Sequence, residues 1–314
     1  IGGLVALILY VEQLVFPTAL LGFTLNTFQT GQVSLERVEE LLKREPKIKD
    51  PDPSDAQPRP TAERRGRFEA RDLTVQYQGA EQNTLNGLSF CIEPGELVAV
   101  VGAVGCGKTT LARAFSRMVP LEPGQLFLDG VDVTQMPLKR LRRDVAIVPQ
   151  EGFLFTSTLA DNLRYGDPEA SDQRVELAAE QARLADDVKG FPDGFGTIVG
   201  ERGITLSGGQ RQRTALGRAL LMSAPVLVLD DALASVDNNT AAAILDSIRA
   251  QDDRTIVMIS HQLSAAAACD RILVMENGRI VQQGQHNALI HQPGVYKRLW
   301  ERQQASQQLD ALAS

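Results

Sequence analysis

The chain opens with a long apolar stretch. Residues 1–28 carry a single charged side chain, Glu12, and no basic residue. About 20 mostly apolar residues can span a bilayer as a helix, so this stretch predicts a membrane-spanning helix. Glu12 and Pro17 leave a buried helix of a soluble protein as the alternative. A signal peptide is disfavoured, because the first cation of the chain is Arg37 and a basic leader segment is missing.

The next segment, residues 30–45, predicts a helix with Leu35, Val38 and Leu42 on one face among charged residues. Basic residues are frequent on the cytoplasmic side of membrane helices. The basic residues that follow the apolar stretch therefore place its C-terminal end in the cytoplasm, and they are Arg37, Lys43, Arg44, Lys47 and Lys49.

A proline-rich segment then separates this region from the rest of the chain. Residues 46–60 hold five of the fifteen prolines, and proline denies a helix its backbone donors. A linker is therefore favoured over a long ordered loop within one domain. The predicted organisation is a membrane helix with a cytoplasmic extension over 1–45, a linker over 46–65 and one large domain over 66–314.

From Arg67 onward, apolar runs of strand length alternate with helical patterns, which is typical of an α/β fold. The runs at 95–102, 226–230 and 255–260 are largely apolar and fit parallel strands buried on both faces. These three runs predict the centre of a sheet.

Other segments of the large domain have different patterns. Residues 271–284 are two apolar runs joined by Asn277-Gly278, which predicts a hairpin with a type I′ turn. Residues 128–133 carry a similar turn signal. Residues 151–220 show no continuous apolar strand and predict a mostly helical insertion.

Composition narrows the function classes only a little. The net charge is −7 and the isoelectric point is about 5.2, which argues against a nucleic-acid surface because such surfaces usually carry a basic excess. The three cysteines, Cys91, Cys106 and Cys269, are far apart and show no CxxC spacing. They indicate neither a disulfide framework nor a zinc site, so a reducing compartment is expected.

A phosphate-binding motif follows the first buried strand. "GAVGCGKTT" at 102–110 satisfies G-x-x-x-x-G-K-[ST] and precedes a helical pattern, which is the context that the motif requires. Backbone amides and the helix N-terminus bind phosphate oxygens, Lys108 neutralises the outer phosphates and the Thr109 hydroxyl ligates Mg²⁺. A chance glycine-rich turn is the disfavoured alternative. The predicted contacts are Gly102, Gly105, Cys106, Gly107, Lys108, Thr109 and Thr110.

Two further residues belong with this motif. Asp230 ends the buried run 226–230, where its carboxylate can hold Mg²⁺ through water; a helix-capping aspartate is the alternative. Cys106 lies near a helix N-terminus and Lys108, and both features favour a thiolate. We therefore expect Cys106 to react with maleimide and a bound nucleotide to protect it.

The segment "LSGGQ", residues 206–210, predicts a second anion-binding helix start, and one nucleotide cannot occupy both. This segment resembles the signature of ATP-binding cassette (ABC) transporter nucleotide-binding domains, and the resemblance covers nearly the whole chain. It implies a P-loop ATPase of ABC type with a mixed-sheet core, an antiparallel β subdomain and a helical subdomain, preceded by one transmembrane helix. It also implies that Ser207, Gly208, Gly209 and Gln210 bind the ATP held by a partner subunit.

The resemblance assigns roles to four other residues. Tyr77 stacks on adenine, Gln150 reaches Mg²⁺ and senses the transmembrane part, and His261 contacts the γ-phosphate. Asp237, in "ASVD", crosses the dimer interface. Judged without the resemblance, Tyr77 is an ordinary strand aromatic, Gln150 a loop residue and His261 a structural histidine.

Within the ABC family, the sequence resembles the exporters. "VGERG" at 199–203 resembles an exporter segment, and residues 1–45 resemble the last transmembrane helix and cytoplasmic extension of an exporter half. Such a half is expected to have six transmembrane helices, so we expect this sequence to be a truncated chain or part of a disrupted gene. The resemblance implies a cytoplasmic domain at the inner or plasma membrane, with lipid, a second half-transporter and an undefined transported substrate as partners, and no nucleic acid.

The residue after Asp230 departs from the family pattern. The family has Glu at this position, which polarises the attacking water, whereas this chain has Asp231. The loss of one methylene withdraws the carboxylate by roughly 1.5 Å, and a misplacement of about 1 Å can cost a hundredfold in rate. We expect a site that binds ATP and hydrolyses it slowly, as in one half of a heterodimeric exporter.

Three alternatives stay open. A homodimer could tolerate the aspartate through a small backbone shift. A soluble ABC ATPase of DNA repair or translation would share these motifs but lack the apolar helix. The chain could also be a non-functional gene fragment.

Overall fold

The computed structural model describes residues 2–52, 65–200, 206–234, 236, 238–251 and 253–313. The chain divides into two compact units, Ile1–Lys47 and Ile48–Ser314. The helices are α1 (Gly2–Lys43), α2 (Lys108–Phe115), α3 (Leu138–Asp144), α4 (Leu159–Arg164), α5 (Asp172–Gln181), α6 (Ala185–Lys189), α7 (Gly208–Leu221), α8 (Asn238–Gln251), α9 (Leu263–Ala266), α10 (His286–Leu289) and α11 (Val295–Ala313). The strands are β1 (Phe68–Val75), β2 (Leu85–Ile92), β3 (Leu97–Gly102), β4 (Leu126–Leu128), β5 (Val131–Asp132), β6 (Val145–Val148), β7 (Ser157–Thr158), β8 (Ile198–Val199), β9 (Val226–Asp230), β10 (Thr255–Ile259), β11 (Arg271–Glu276) and β12 (Arg279–Gly284).

Helix α1 is continuous over 42 residues, so the two predicted segments form one element, and none of its side chains is buried. It is the one helix among the described residues that is long and apolar enough to cross a membrane. The hydroxyls of Thr18, Thr24 and Thr27 each donate to the carbonyl four residues earlier, at 2.7 to 2.9 Å. These bonds satisfy the hydroxyl groups without solvent, as apolar surroundings require.

The larger unit is built on a six-stranded sheet with the order β12-β11-β3-β10-β9-β6. Strands β11, β3, β10, β9 and β6 are parallel, and β12 pairs antiparallel with β11. The three apolar runs predicted as buried strands are β3, β9 and β10. They are largely apolar because both faces are covered: Leu227 and Leu229 pack in one core cluster and Val226 and Val228 in the other.

A separate four-stranded antiparallel sheet has the order β2-β1-β4-β5. Its hairpin β4–β5 turns at Asp129-Gly130, and the hairpin β11–β12 turns at Asn277-Gly278. All four turn residues have positive φ, between 48° and 79°. This conformation matches the twist of adjacent strands and favours Asn, Asp and Gly, so both predicted turns are confirmed.

The described residues between β6 and β9 are mostly helical, as predicted, and include α4 to α7 and the short β7–β8 pair. The pair was not predicted, because two residues per strand show no periodicity. Helices α4 and α7 approach closely at Gly217, where an added Cβ would lie 2.7 Å from the Leu163 side chain. The glycine allows this contact.

The carboxyl ends of β3, β10, β9 and β6 lie side by side, because these four strands are adjacent and parallel. The segments that leave these ends begin with Ala103, Ser260, Asp231 and Pro149. Ligand sites of open α/β sheets form at this edge.

Candidate nucleotide-binding site

A cavity of about 480 Å³ opens at the carboxyl edge of the sheet. It brings together nine of the predicted site residues, which are Gly105, Gly107, Lys108, Thr109, Thr110, Gln150, Asp230, Asp231 and His261. Thr84, Val104 and Ile259 also line the cavity. Sequence reasoning missed these three; Val104 is a variable position inside the phosphate motif, and no signal marks Thr84 or Ile259.

The loop between β3 and α2 depends on glycine. Gly105 and Gly107 have φ values of 82° and 106°, in the left-handed region. A Cβ on Gly107 would lie 2.7 Å from the Thr84 carbonyl oxygen, so a larger residue would displace the backbone. Helix α2 begins directly afterwards, at Lys108. The first amides of a helix lack intrahelical acceptors and are available to an anion.

Lys108 folds back over the start of this loop. Its Nζ donates to the carbonyl oxygens of Gly102 and Ala103, at 2.8 and 3.0 Å. These bonds hold the ammonium at the cavity. A phosphate oxygen is a stronger acceptor than a carbonyl, because it carries charge, so Lys108 is placed to exchange these partners for phosphate.

Cys106 lies in surroundings that differ from those expected from sequence. Its side chain is 5% exposed, and burial raises the pKa of the thiol although Lys108 nearby opposes this effect. The expectation of a thiolate is wrong, because desolvation outweighs the attraction of the ammonium. The backbone amide of Cys106 donates to the Ala103 carbonyl at 3.3 Å.

A set of oxygen donors lies beside the lysine. The Thr109 hydroxyl is 3.2 Å from Oδ1 of Asp230, and Asp230 is 5% exposed. Burial raises the pKa of the Asp230 carboxyl, while the Thr109 hydrogen bond opposes this. Gln150, which follows β6, lines the same cavity and also the neighbouring groove at Gly208.

Asp231 and His261 form a direct pair. The Nδ1 atom of His261 lies 2.8 Å from Oδ1 and 2.7 Å from Oδ2 of Asp231. Asp231 has a φ of 54°, and its backbone amide donates to the Ile259 carbonyl at 2.9 Å. The turn after β9 is thus fixed to the end of β10, and the carboxylate is drawn to the imidazole.

Tyr77 lies at the margin of this site. Its hydroxyl is 3.3 Å from Oγ1 of Thr110, and the side chain is partly exposed. The ring is therefore beside the first turn of α2, close to the phosphate loop.

The signature residues form a helix start elsewhere. Ser207 and Gln210 cap α7 reciprocally: the Ser207 Oγ accepts from the Gln210 amide at 3.2 Å, and the Gln210 Oε1 accepts from the Ser207 amide at 2.9 Å. This is the capping box that the S-x-x-Q spacing allows. None of the four residues Ser207–Gln210 lines the cavity around Lys108.

The capping glutamine has further support from residues that sequence reasoning missed. Its Nε2 donates to Oδ1 of Asp187 at 3.0 Å, and Arg213 donates to Oδ2 of the same carboxylate at 2.6 Å. Asp187 lies in α6, in a segment without a recognisable motif. Asp237, and residues 201–203 of the segment 199–203, lie outside the described residues.

The fold and this arrangement define a P-loop nucleotide-binding domain with a second helix start bearing the LSGGQ sequence. Residues 85–234 match the family model for "ABC transporter". The chain is 36% identical over 309 residues to "ATP-binding cassette sub-family B member 6" of Mus musculus, covering 98% of this chain and 36% of that protein. It is 40% identical over 305 residues to the "ATP-dependent lipid A-core flippase" of Aromatoleum aromaticum, covering 95% and 49%.

A solved structure agrees with these relatives. The structure described as "Structure of a bacterial Atm1-family ABC exporter with ATP bound" has a TM-score of 0.82 and 35% identity, and covers 94% of this chain and 51% of that chain. The chain therefore belongs to the ABC transporter family. It carries the family's nucleotide-binding domain, which is an ABC-type ATPase domain, and one long apolar helix precedes this domain. The predicted family and fold are confirmed. The chain spans 36% to 51% of the length of these relatives.

Proposed function

We propose that this chain binds ATP with Mg²⁺ and, paired head to tail with a second half-transporter, powers the export of a substrate. The observation that carries the proposal is the separation of the two anion-binding helix starts. The start of α2 belongs to the cavity, and no described residue of the signature lines that cavity. The signature is therefore available to a nucleotide held by a second subunit.

Within the cavity each residue has a role that its geometry supports. Lys108 and the amides at the start of α2 bind the phosphates. A metal ion here would be bound through oxygen atoms, which come from the side chains of Thr109, Gln150 and Asp230. Oxygen is the ligand atom that Mg²⁺ prefers when it is shared with substrate phosphates. A cation beside the buried Asp230 would also offset the cost of its charge. The metal, when bound, neutralises charge that develops on the transferring phosphoryl group.

We propose that this chain's own site hydrolyses ATP slowly. The carboxylate of Asp231 is one methylene shorter than that of glutamate, and both of its oxygens contact His261. A carboxylate on the shorter side chain lies farther from a water that must attack the γ-phosphate, so hydrolysis suffers while phosphate binding does not. A slow site beside an intact signature fits one half of a heterodimeric exporter. A homodimer is the second candidate, because the left-handed φ of Asp231 suits aspartate better than most residues.

The membrane part of the proposal rests on α1. Its length and apolar composition suit a bilayer, and the basic residues at its C-terminal end favour the cytoplasmic side. We propose that α1 contacts lipid in the inner or plasma membrane and that the nucleotide-binding domain is cytoplasmic.

Two measurements test this function. Equilibrium binding of labelled ATP to the full chain should require Mg²⁺ and Lys108. Two differently tagged copies of the chain should fail to co-purify under ATP-trapping conditions if the partner is a different half-transporter. Co-purification of the two tags would reject the heterodimer in favour of the homodimer, and an absence of ATP binding would reject the function itself.

A further inference from the structure

The short loop that carries His261 is fixed on both sides. Residues 260–262 connect β10 to α9. The Gln262 amide donates to the Ser260 hydroxyl at 2.9 Å, and the Gln262 Nε2 donates to the Ala234 carbonyl at 3.3 Å. These bonds tie the loop to itself and to the segment that follows Asp231, and α9 begins at Leu263, two residues after His261.

Helix α9 is too short to hold its own N-terminus. It has four residues, and Gln262, at the N-cap position, makes no side-chain hydrogen bond to it. The first amides of any helix lack intrahelical acceptors, and here the first residue, Leu263, is buried at 3% exposure. A buried amide without an acceptor is costly.

The missing acceptor comes from the C-terminal helix. The Leu263 amide donates to Oε1 of Gln303 at 2.8 Å, across 40 residues of sequence. Gln303 thus caps α9 from outside, in the place where a Ser, Thr, Asp or Asn side chain normally serves. The contact is two residues from His261.

Helix α11 is itself anchored, so Gln303 is held in place. The Tyr296 side chain is fully buried, its hydroxyl lies 2.7 Å from Nδ1 of His286 and its amide donates to Oε1 of Gln282 at 3.0 Å. Seven residues, two helical turns, separate Tyr296 from Gln303, so both lie on the face of α11 that meets the domain.

We infer that Gln303 is a positioning residue for His261. The side-chain carbonyl of Gln303 fixes the start of α9 and thereby the loop that places the imidazole against Asp231. This inference rests on the proposed function, because it takes from the family resemblance that His261 contacts the γ-phosphate of the bound ATP. Loss of the acceptor releases the Leu263 amide and lets the loop shift. Misplacement of a catalytic group by about 1 Å can cost a hundredfold in rate, whereas the bonds of Lys108 to the Gly102 and Ala103 carbonyls do not involve this loop.

Three variants of the full chain separate positioning from simple stability. Gln303→Met keeps the length of the side chain and removes the acceptor. Gln303→Glu keeps an acceptor oxygen and should restore the function. Gln304→Met makes the same change at the next residue of α11 and is the matched control.

The first readout is hydrogen exchange of residues 260–266, which needs no turnover. Removing one hydrogen bond should speed exchange of the Leu263 amide by about two- to tenfold in Gln303→Met, and Gln303→Glu and Gln304→Met should match the unaltered chain. The second readout is single-turnover ATP hydrolysis by the assembled transporter, with the partner's own site silenced. The rate should fall at least severalfold in Gln303→Met with ATP affinity unchanged.

Equal exchange and equal turnover in Gln303→Met and the unaltered chain would overturn the inference, as would equal losses in Gln303→Met and Gln304→Met, which would indicate general loosening of α11. If the unaltered chain neither binds nor hydrolyses ATP, the proposed function fails, and the exchange readout still decides whether Gln303 orders the loop.

Discussion

The carboxylate of Asp231 and the imidazole of His261 are in direct contact, with Nδ1 2.7 Å from Oδ2 and 2.8 Å from Oδ1. Asp231 is 16% exposed and His261 54% exposed at the side chain. The carboxylate is thus largely enclosed, and the imidazole faces the solvent side of the cavity. The contact leaves Nε2 as the ring nitrogen for another partner, and it links the two residues predicted to act at the γ-phosphate.

Replacement of Lys108 should abolish ATP binding. Lys108→Ala removes the ammonium that bridges the Gly102 and Ala103 carbonyls at the cavity, and with it the charge that neutralises the outer phosphates. Titration of the full chain with labelled Mg-ATP measures the effect. Lys139→Ala, on the exposed side of α3, is the matched control and should bind as the unaltered chain does. Undiminished affinity in Lys108→Ala would contradict the assignment of the site.

The ring of Tyr77 should matter more than its hydroxyl. Tyr77→Ala should weaken ATP binding by about 1–3 kcal/mol through lost base stacking. Tyr77→Phe should bind nearly as well, since the 3.3 Å contact to Thr110 is partly exposed. Binding titrations with ATP, and with tripolyphosphate as the control without a base, separate the two effects. The stacking role is excluded if Ala and Phe bind ATP equally.

The signature serine should contribute to stability as well as to function. Ser207→Ala removes one half of the capping box of α7 and should lower the free energy of unfolding by about 1 kcal/mol. Ser207→Thr keeps a capping oxygen and should lose much less. Denaturant unfolding of the full chain in detergent measures both variants. Identical unfolding midpoints for Ser207→Ala and Ser207→Thr would show that the capping hydrogen bond does not contribute to the free energy of unfolding.

The thiol of Cys91 should stay protonated well above neutral pH. Burial, and then the hydrogen bond to Glu93, raise its pKa to about 11. Because the thiolate is the reactive form, alkylation at Cys91 should rise about tenfold per pH unit from pH 7 to 9.5, where a free thiol with a pKa of about 8.5 would level off. Mass spectrometry of the labelled peptide follows the rate, with Cys91→Ser as the control. A plateau below pH 9 would refute the raised pKa.

Much of the fold was predictable because its signals are local. The buried strands β3, β9 and β10 are continuous apolar runs, and the turn at Asn277-Gly278 needs only two residues with positive φ. The position of the phosphate motif between a strand and a helix was predictable for the same reason, since the motif is contiguous in sequence.

Contacts between distant segments were not predictable. Asp187 accepts a hydrogen bond from Gln210, 23 positions away, and Gln303 accepts one from the Leu263 amide, 40 positions away. No periodic pattern in the sequence predicts such pairs. The state of Cys106 was misjudged because its neighbours in sequence suggest a thiolate, whereas its pKa depends on burial by the folded core.

We propose that the length of the Asp231 side chain limits hydrolysis at this site. Asp231→Glu restores the missing methylene and leaves Lys108, Thr109 and Asp230 unchanged. The backbone at this position has a φ of 54°, a conformation that aspartate adopts more readily than glutamate. Thermal unfolding of the variant therefore accompanies the kinetic measurement, so that a loss of folded protein is not mistaken for a loss of activity.

The most direct test is single-turnover hydrolysis of ATP at this chain's site, in the transporter assembled with its partner and with the partner's site silenced. If side-chain length limits hydrolysis, Asp231→Glu raises the rate by about one to two orders of magnitude while ATP affinity stays nearly constant. Fast and equal hydrolysis by the unaltered chain and by Asp231→Glu would contradict the slow site. Equally slow hydrolysis by both would contradict the claim that side-chain length is the limiting defect.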